Sequence, residues 1–194
     1  MSAAASQRPY HHGSLREALI EATVQAIGAG GVASITLRSV AKSVGVTHGA
    51  ARHHFGSKAG LLTAVAAEGF RLLSDRLDRV VAEDGFGETG VEYVRFATTN
   101  PGHFEAMFRP DVLDESDEAL RHARSAAAKV LFESAARQAG TSVEEAKEVA
   151  VAAWSIAHGL ATLWRTGNLG PDLGDPITLA KGWSNTLFLA PLDT

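Results

Sequence analysis

Along this chain apolar residues return every third or fourth position, and no stretch alternates apolar with polar residues in the β-branched manner of a strand. The pattern predicts an all-α fold of about nine helices. Leu15, Ala18, Leu19, Ala22, Ala26 and Ile27 make the first apolar stripe. Ser14 and Glu17 are spaced as a capping box at its start, and Gly28, Gly30 and Gly31 stop it. Next comes a short helix capped by Thr36, apolar at Leu37, Val40, Ala41 and Val44, and closed by Gly45. Thr47 caps a third helix that runs to about His54. Ser57 caps a long fourth, striped by Leu61, Val65, Leu72, Leu73, Leu77 and Val80, ending near Asp84.

Further elements follow the same grammar. A helix is expected over about 88–99, then a short one opened by Asn100-Pro101 and closed by Pro110. A long helix over about 115–138 is acidic at its start, as the helix dipole favours. Ser142 and Glu145 form a second capping box, opening a helix that reaches about Thr166 and stops at Gly167. Asp175-Pro176 opens a last one to about Ala190. The natural division is an N-terminal arm and three-helix head over 1–60 and a helical body over 61–194.

Composition narrows the class. At 194 residues and 45% hydrophobic, the chain can build a core without covalent staples. It has no cysteine, which rules out disulfides and thiolate metal sites. Met1 to Gly13 lacks an apolar stretch, and the longest apolar run, Val149 to Trp154, is too short for a bilayer, so a cytoplasmic protein is expected. The net charge of −4 conceals an asymmetry. Through Gly60 there are six Lys/Arg against two Asp/Glu, and beyond it twelve against twenty. A basic head on an acidic body suits a head that meets a polyanion.

The stretch from Thr36 to Leu62 carries the function. Two short helices joined by a tight turn at Gly45-Val46, with a third before them, are the grammar of a helix-turn-helix. The second of the pair holds Thr47, His48, Gly49, Ala50, Arg52 and His53, all small, polar or basic. A helix entering the DNA major groove needs small residues for close approach and donors for base edges and phosphates. Ala51 and Phe55, four apart, can pin its other side to the core.

Here the sequence resembles the TetR family of transcriptional regulators. The likeness lies in Thr36-Leu37-Arg38, Val40-Ala41, Gly45-Val46-Thr47, His54-Phe55, Ser57-Lys58 and Leu61, and upstream in Tyr10-His11-His12-Gly13 with Leu15-Arg16. In the body, Trp154, His158-Gly159-Leu160, and Phe104 with Met107-Phe108 resemble the C-terminal domain of the branch named for its Trp-His-Gly residues. Where the family commonly carries Leu-Tyr, this chain has Ala51-Arg52. The tyrosine commonly contacts a phosphate, and arginine can do so with a full charge.

The resemblance implies a homodimeric repressor that binds a palindromic double-stranded operator and leaves it when a small-molecule effector binds the body. The implied DNA-binding residues are Thr36, Arg38, Thr47, His48, Gly49, Arg52, His53, His54 and Lys58. A pocket for a mostly apolar effector is expected from Phe104, Met107, Phe108, Trp154 and His158, with His158 equally readable as a core residue. The small and apolar residues Ala150, Ala153, Ala157, Ala161, Trp183 and Leu187 are the expected dimer interface. No cofactor, metal or membrane partner is expected, nor enzymatic activity. Adjacent His53 and His54 point about 100° apart on a helix, unsuited to a shared metal. The formal dinucleotide fingerprint from Gly85 to Gly90 follows a helix rather than a strand, and Glu83-Asp84 would repel a pyrophosphate.

Overall fold

Caps decide where the helices of the head begin. The structure, a computed structural model, describes residues 12–187. Helix α1 is His12–Gly30, α2 is Leu37–Val44 and α3 is His48–Phe55. Thr36 and Ser39 cap α2 reciprocally: Thr36 Oγ1 accepts from the Ser39 amide at 3.0 Å, and Ser39 Oγ from the Thr36 amide at 3.2 Å. Gly45, in the left-handed region at φ 77°, ends α2, and its amide turns back to the carbonyls of Ala41 and Lys42. Thr47 accepts from the Ala50 amide and opens α3.

The long helix α4, Lys58–Glu83, is capped by Ser57 and leads from the head into the body. Its start abuts the end of α3, where a Cβ on Gly60 would lie 2.1 Å from the Phe55 carbonyl oxygen. The body adds α5 (Thr89–Thr99), α6 (Pro101–Met107), α7 (Glu118–Ala139), α8 (Val143–Arg165) and α9 (Pro176–Leu187). No strand occurs among the described residues. One apolar cluster runs through both parts without interruption, from Leu19, Ile27 and Val40 through Leu61 and Val65 to Val91, Phe96 and Leu120. A smaller one gathers Phe86 with the alanines of α7 and α8.

Several expectations are corrected. The first helix starts at His12, so Ser14 lies inside it rather than at its cap. It also runs through Gly28 and Gly30, and the chain turns at Gly31, φ 75°. The glycine-rich segment after α4 contains a 3-10 turn, Phe86–Glu88, whose Phe86 is buried against the body. Helix α7 begins three residues later than expected, because Asp117 caps it through the Leu120 amide. The preceding segment is a turn: Asp114 accepts from the amide and hydroxyl of Ser116, while its own amide donates to Thr63 Oγ1 of α4 at 2.8 Å. The expected end of the last helix at Ala190 lies outside the described residues.

The alanine stripe of α8 faces inward. Ala150, Ala153, Ala157 and Ala161 are at most 5% exposed within the single chain, so they cannot present a surface to a second one. Small side chains here let neighbouring helices of the same protomer approach α8 closely. Trp183 is half-buried against Gly90 of α5, and the side chain of Leu187 lies outside the described set.

The joint between head and body is close. Helix α6 lies against α1 at Gly102, where a Cβ would fall 2.2 Å from the Val24 carbonyl oxygen. Gly102→Ala should therefore lower stability by about 1–3 kcal/mol through forced separation of the two helices. Gly28→Ala, on the exposed side of α1 with only Pro101 at ordinary contact distance, should raise it by up to about 1 kcal/mol. Denaturant midpoints of the two variants check both signs.

Candidate nucleic-acid interface and body cavity

Helix α3 is held by its back. Ala51 is fully buried, and Phe55 packs half-buried against the core with the Arg16 guanidinium 5.5 Å from its ring centroid. That anchoring leaves His48, Gly49, Arg52 and His53 exposed together. At 100° per residue they occupy an arc of about 140° on one side of the helix. Thr47 is exposed at its N-terminus, and Thr36 and Arg38 are exposed in the first turn of α2. Lys58 opens α4, partly exposed, with its Nζ donating to the Ala33 carbonyl at 3.4 Å. Arg38, Lys42 and Arg52 form no ion pair among the described residues.

His54 does not join this arc. It is half-buried, its ring 6.2 Å from that of Phe55, on the side that meets the rest of the head. Lys42, on the exposed side of α2, is a basic residue that the sequence reading passed over. Its place one turn before the Gly45 turn was the available signal.

The body contains a cavity of about 390 Å³ between α4, α5, α7 and α8. Met107, Phe108 and Trp154 line it, as expected from sequence. Phe104 and His158 do not. They pack behind the wall, with the His158 ring 4.6 Å from Phe108 and 5.5 Å from Phe104. The residue that organises this wall, Tyr93 of α5, escaped the sequence reading because its helical spacing is that of any core aromatic. Trp154 Nε1 donates to Tyr93 Oη at 3.2 Å, and Tyr93 Oη lies 2.8 Å from His158 Nδ1. The Trp154 N–H can only donate, so Tyr93 Oη accepts from it and shares a second hydrogen bond with His158. Burial pushes the Tyr93 pKa up and the His158 pKa down, so both groups are neutral at neutral pH.

Two charged residues lie at the cavity's edge. Arg124 of α7 meets Glu115 of the α6–α7 connection through two bonds, Nη1 to Oε2 at 2.6 Å and Nη2 to Oε1 at 3.1 Å. The guanidinium also lies 5.5 Å from the Phe70 ring centroid. Hydrogen bonding from Arg124 holds the Glu115 carboxyl below its ordinary range. Neither was foreseen, since they are nine residues apart across a helix start that the sequence pattern placed too early.

Comparison with known proteins covers both parts. Residues 19–65 match the family model "Bacterial regulatory proteins, tetR family", and residues 86–181 match "Tetracyclin repressor-like, C-terminal domain". The HTH-type transcriptional regulator BetI of Stenotrophomonas maltophilia (strain R551-3) is 40% identical over 70 residues, 36% of this chain and 36% of that protein. The match thus spans about a third of the length of the curated relatives. A protein of unknown function from Rhodococcus sp. RHA1 superimposes with a TM-score of 0.78 at 28% identity, over 94% of this chain and 98% of that one. SmeT, solved as a complex with triclosan, shares the fold with a TM-score of 0.56 at 18% identity, over 88% and 90% of the two chains. Head and body each answer to the corresponding part of one family, and the chain belongs to the TetR family of bacterial regulatory proteins.

Proposed function

We propose that this protein is a cytoplasmic transcriptional repressor that binds a palindromic double-stranded operator as a homodimer and leaves it when a small, mostly apolar effector enters the body cavity. The observation that carries the reading is the free outer arc of α3. His48, Gly49, Arg52 and His53 stand clear of the protein around a gap that only a glycine leaves, flanked by exposed Thr36, Arg38 and Thr47. Donors for base edges sit on the arc itself, and Arg52, toward the C-terminal end of α3, with Arg38 and Lys58 on the neighbouring helices, suits phosphates beside a major groove. His54 is left out of this set, as it faces the head.

One such helix contacts too few base pairs for specificity, which a two-fold dimer supplies. The surface for it is the outer flank of α8. Val149, Ala152, Ile156, Gly159 and Leu163 follow a 3-4-3-4 spacing, and Val149, Ile156 and Leu163 are 47%, 36% and 44% exposed. Alternating large and small residues at that spacing suit a paired helix from a second protomer. The cavity supplies the effector site, with aromatic faces and a neutral Tyr93 on the wall bonded to His158 behind it.

A mobility-shift titration with the DNA upstream of the protein's own gene tests the reading directly. Arg52→Ala and Lys58→Ala should each weaken binding to all sequences alike and reduce the slope of log affinity against log salt by about one. An unchanged slope in both would remove them from the phosphate contacts. Gly49→Leu should abolish operator binding with the fold intact, since the side chain would fill the approach of α3 to the groove.

The dimer surface has a separate check. Ile156→Glu should shift the protein from dimer to monomer in analytical ultracentrifugation, with the helical circular dichroism retained. A dimer that survives this change would place the two-fold elsewhere.

A further inference from the structure

The wall of the body cavity is mostly apolar, with a neutral Tyr93–Trp154 hydrogen bond within it and charge at one edge. Among the described residues that line it, only Glu115 and Arg124 carry charge, and they face one another. Their geometry is that of a guanidinium receiving a carboxylate edge-on, with both terminal nitrogens matched to both oxygens. Phe70 lies beneath the guanidinium and holds it at the rim. Arg124 and Glu115 are 39% and 45% exposed, and an ion pair that wet contributes little net free energy. Exchanging this carboxylate for another therefore costs little.

We infer that the effector is an apolar molecule ending in a carboxylate, and that Glu115 occupies the place its carboxylate takes. This rests on the cavity being the effector site. The hydrocarbon part lies along Phe70, Leu73, Leu131 and Trp154, where its burial supplies most of the affinity. The acid reaches Arg124 and replaces Glu115. A cationic ligand fits worse, because any cation that reached Glu115 would stand beside the Arg124 charge. A neutral ligand would leave the pair as it is.

The exchange has a consequence for the head. Glu115 belongs to the turn whose Asp114 amide is bonded to Thr63 Oγ1 of α4. Thr63 is buried two residues from Leu61 and next to Leu62, both in the core that head and body share. Losing Arg124 leaves that turn attached to α4 without its anchor on α7.

Calorimetric titration of the full chain with decanoate, 1-decanol and decylamine, all at micromolar concentration and pH 7.5, tests the assignment. Decanoate should bind a few-fold more tightly than 1-decanol. Arg124→Gln should bring decanoate to the level of the alcohol. Glu115→Gln should tighten decanoate binding by removing the resident competitor. Affinity for 1-decanol should be the same in all three proteins, which also shows that the variants are folded. Equal binding of acid and alcohol, a preference that survives Arg124→Gln, or tightest binding of decylamine lost in Glu115→Gln would each overturn the carboxylate assignment and leave the cavity as the site. Ala128→Phe, which narrows the cavity, should weaken all three probes. If no probe binds, or if binding ignores Ala128→Phe, the cavity reading falls, and the carboxylate assignment with it.

Discussion

One carboxylate reaches across the joint between head and body. Glu105 of α6 accepts the Val32 amide at 2.8 Å with one oxygen, and its other oxygen lies 3.5 Å from Arg165 at the end of α8. Arg165 also donates to the Pro101 carbonyl at 2.9 Å and lies over the Phe104 ring. The Val32 amide belongs to the turn between α1 and α2, where Gly31 and Ser34 bond to backbone carbonyls and Val32 turns instead to Glu105. A hydrogen bond from such a donor to a charged acceptor contributes on the order of 1.5–3 kcal/mol. Together with the close approach at Gly102, it seats α6 against the head. Helix α6 also carries Met107 into the cavity wall, so the same two turns of helix touch both the head and the cavity.

Coupling of this kind needs a second contact, and α4 provides it. Gly69 of α4 accepts Met107 so closely that a Cβ there would lie 2.7 Å from the sulfur, and Glu68 bonds His103 Nε2 at 2.9 Å. Helices α4 and α6 are thus fitted to one another along one side of the cavity. A ligand that displaces Met107 or Phe108 must move α6 against α4, α1, or both, since packed interiors have little free volume to absorb the change. Two alternative packings of these helices are what a ligand would select between.

The helix-turn-helix was legible in the sequence because it is made of local rules. Thr36, Gly45, Thr47 and Ser57 act within three or four residues of themselves, and each sits in the structure where its cap or turn was expected. What the sequence did not reveal depends on contacts far apart in the chain. The alanine stripe of α8 is small enough for either an internal or an external partner, and spacing alone does not say which. The start of α7 was misplaced because residues 114 to 118, four of them acidic, all suit a helix start, and the bond of the Asp114 amide to Thr63 is a tertiary contact that spacing does not show. Met107, Phe108 and Trp154 line the cavity, but Tyr93, Glu115 and Arg124 become recognisable only when α5, α7 and the turn before it come together.

The uninterrupted core bears on how such a protein can be rebuilt in evolution or by design. Relatives that share a head are easily pictured as a DNA module exchanged among unrelated sensors. Here Leu61 and Val65 bind the head's interior to the body's, and Glu105 and Gly102 complete the head's own underside from within the body. A graft cut at the end of α3 would leave the Val32 amide and the Val24 carbonyl facing a foreign helix. The piece that can move between proteins without loss is the head together with the part of α6 that fits it.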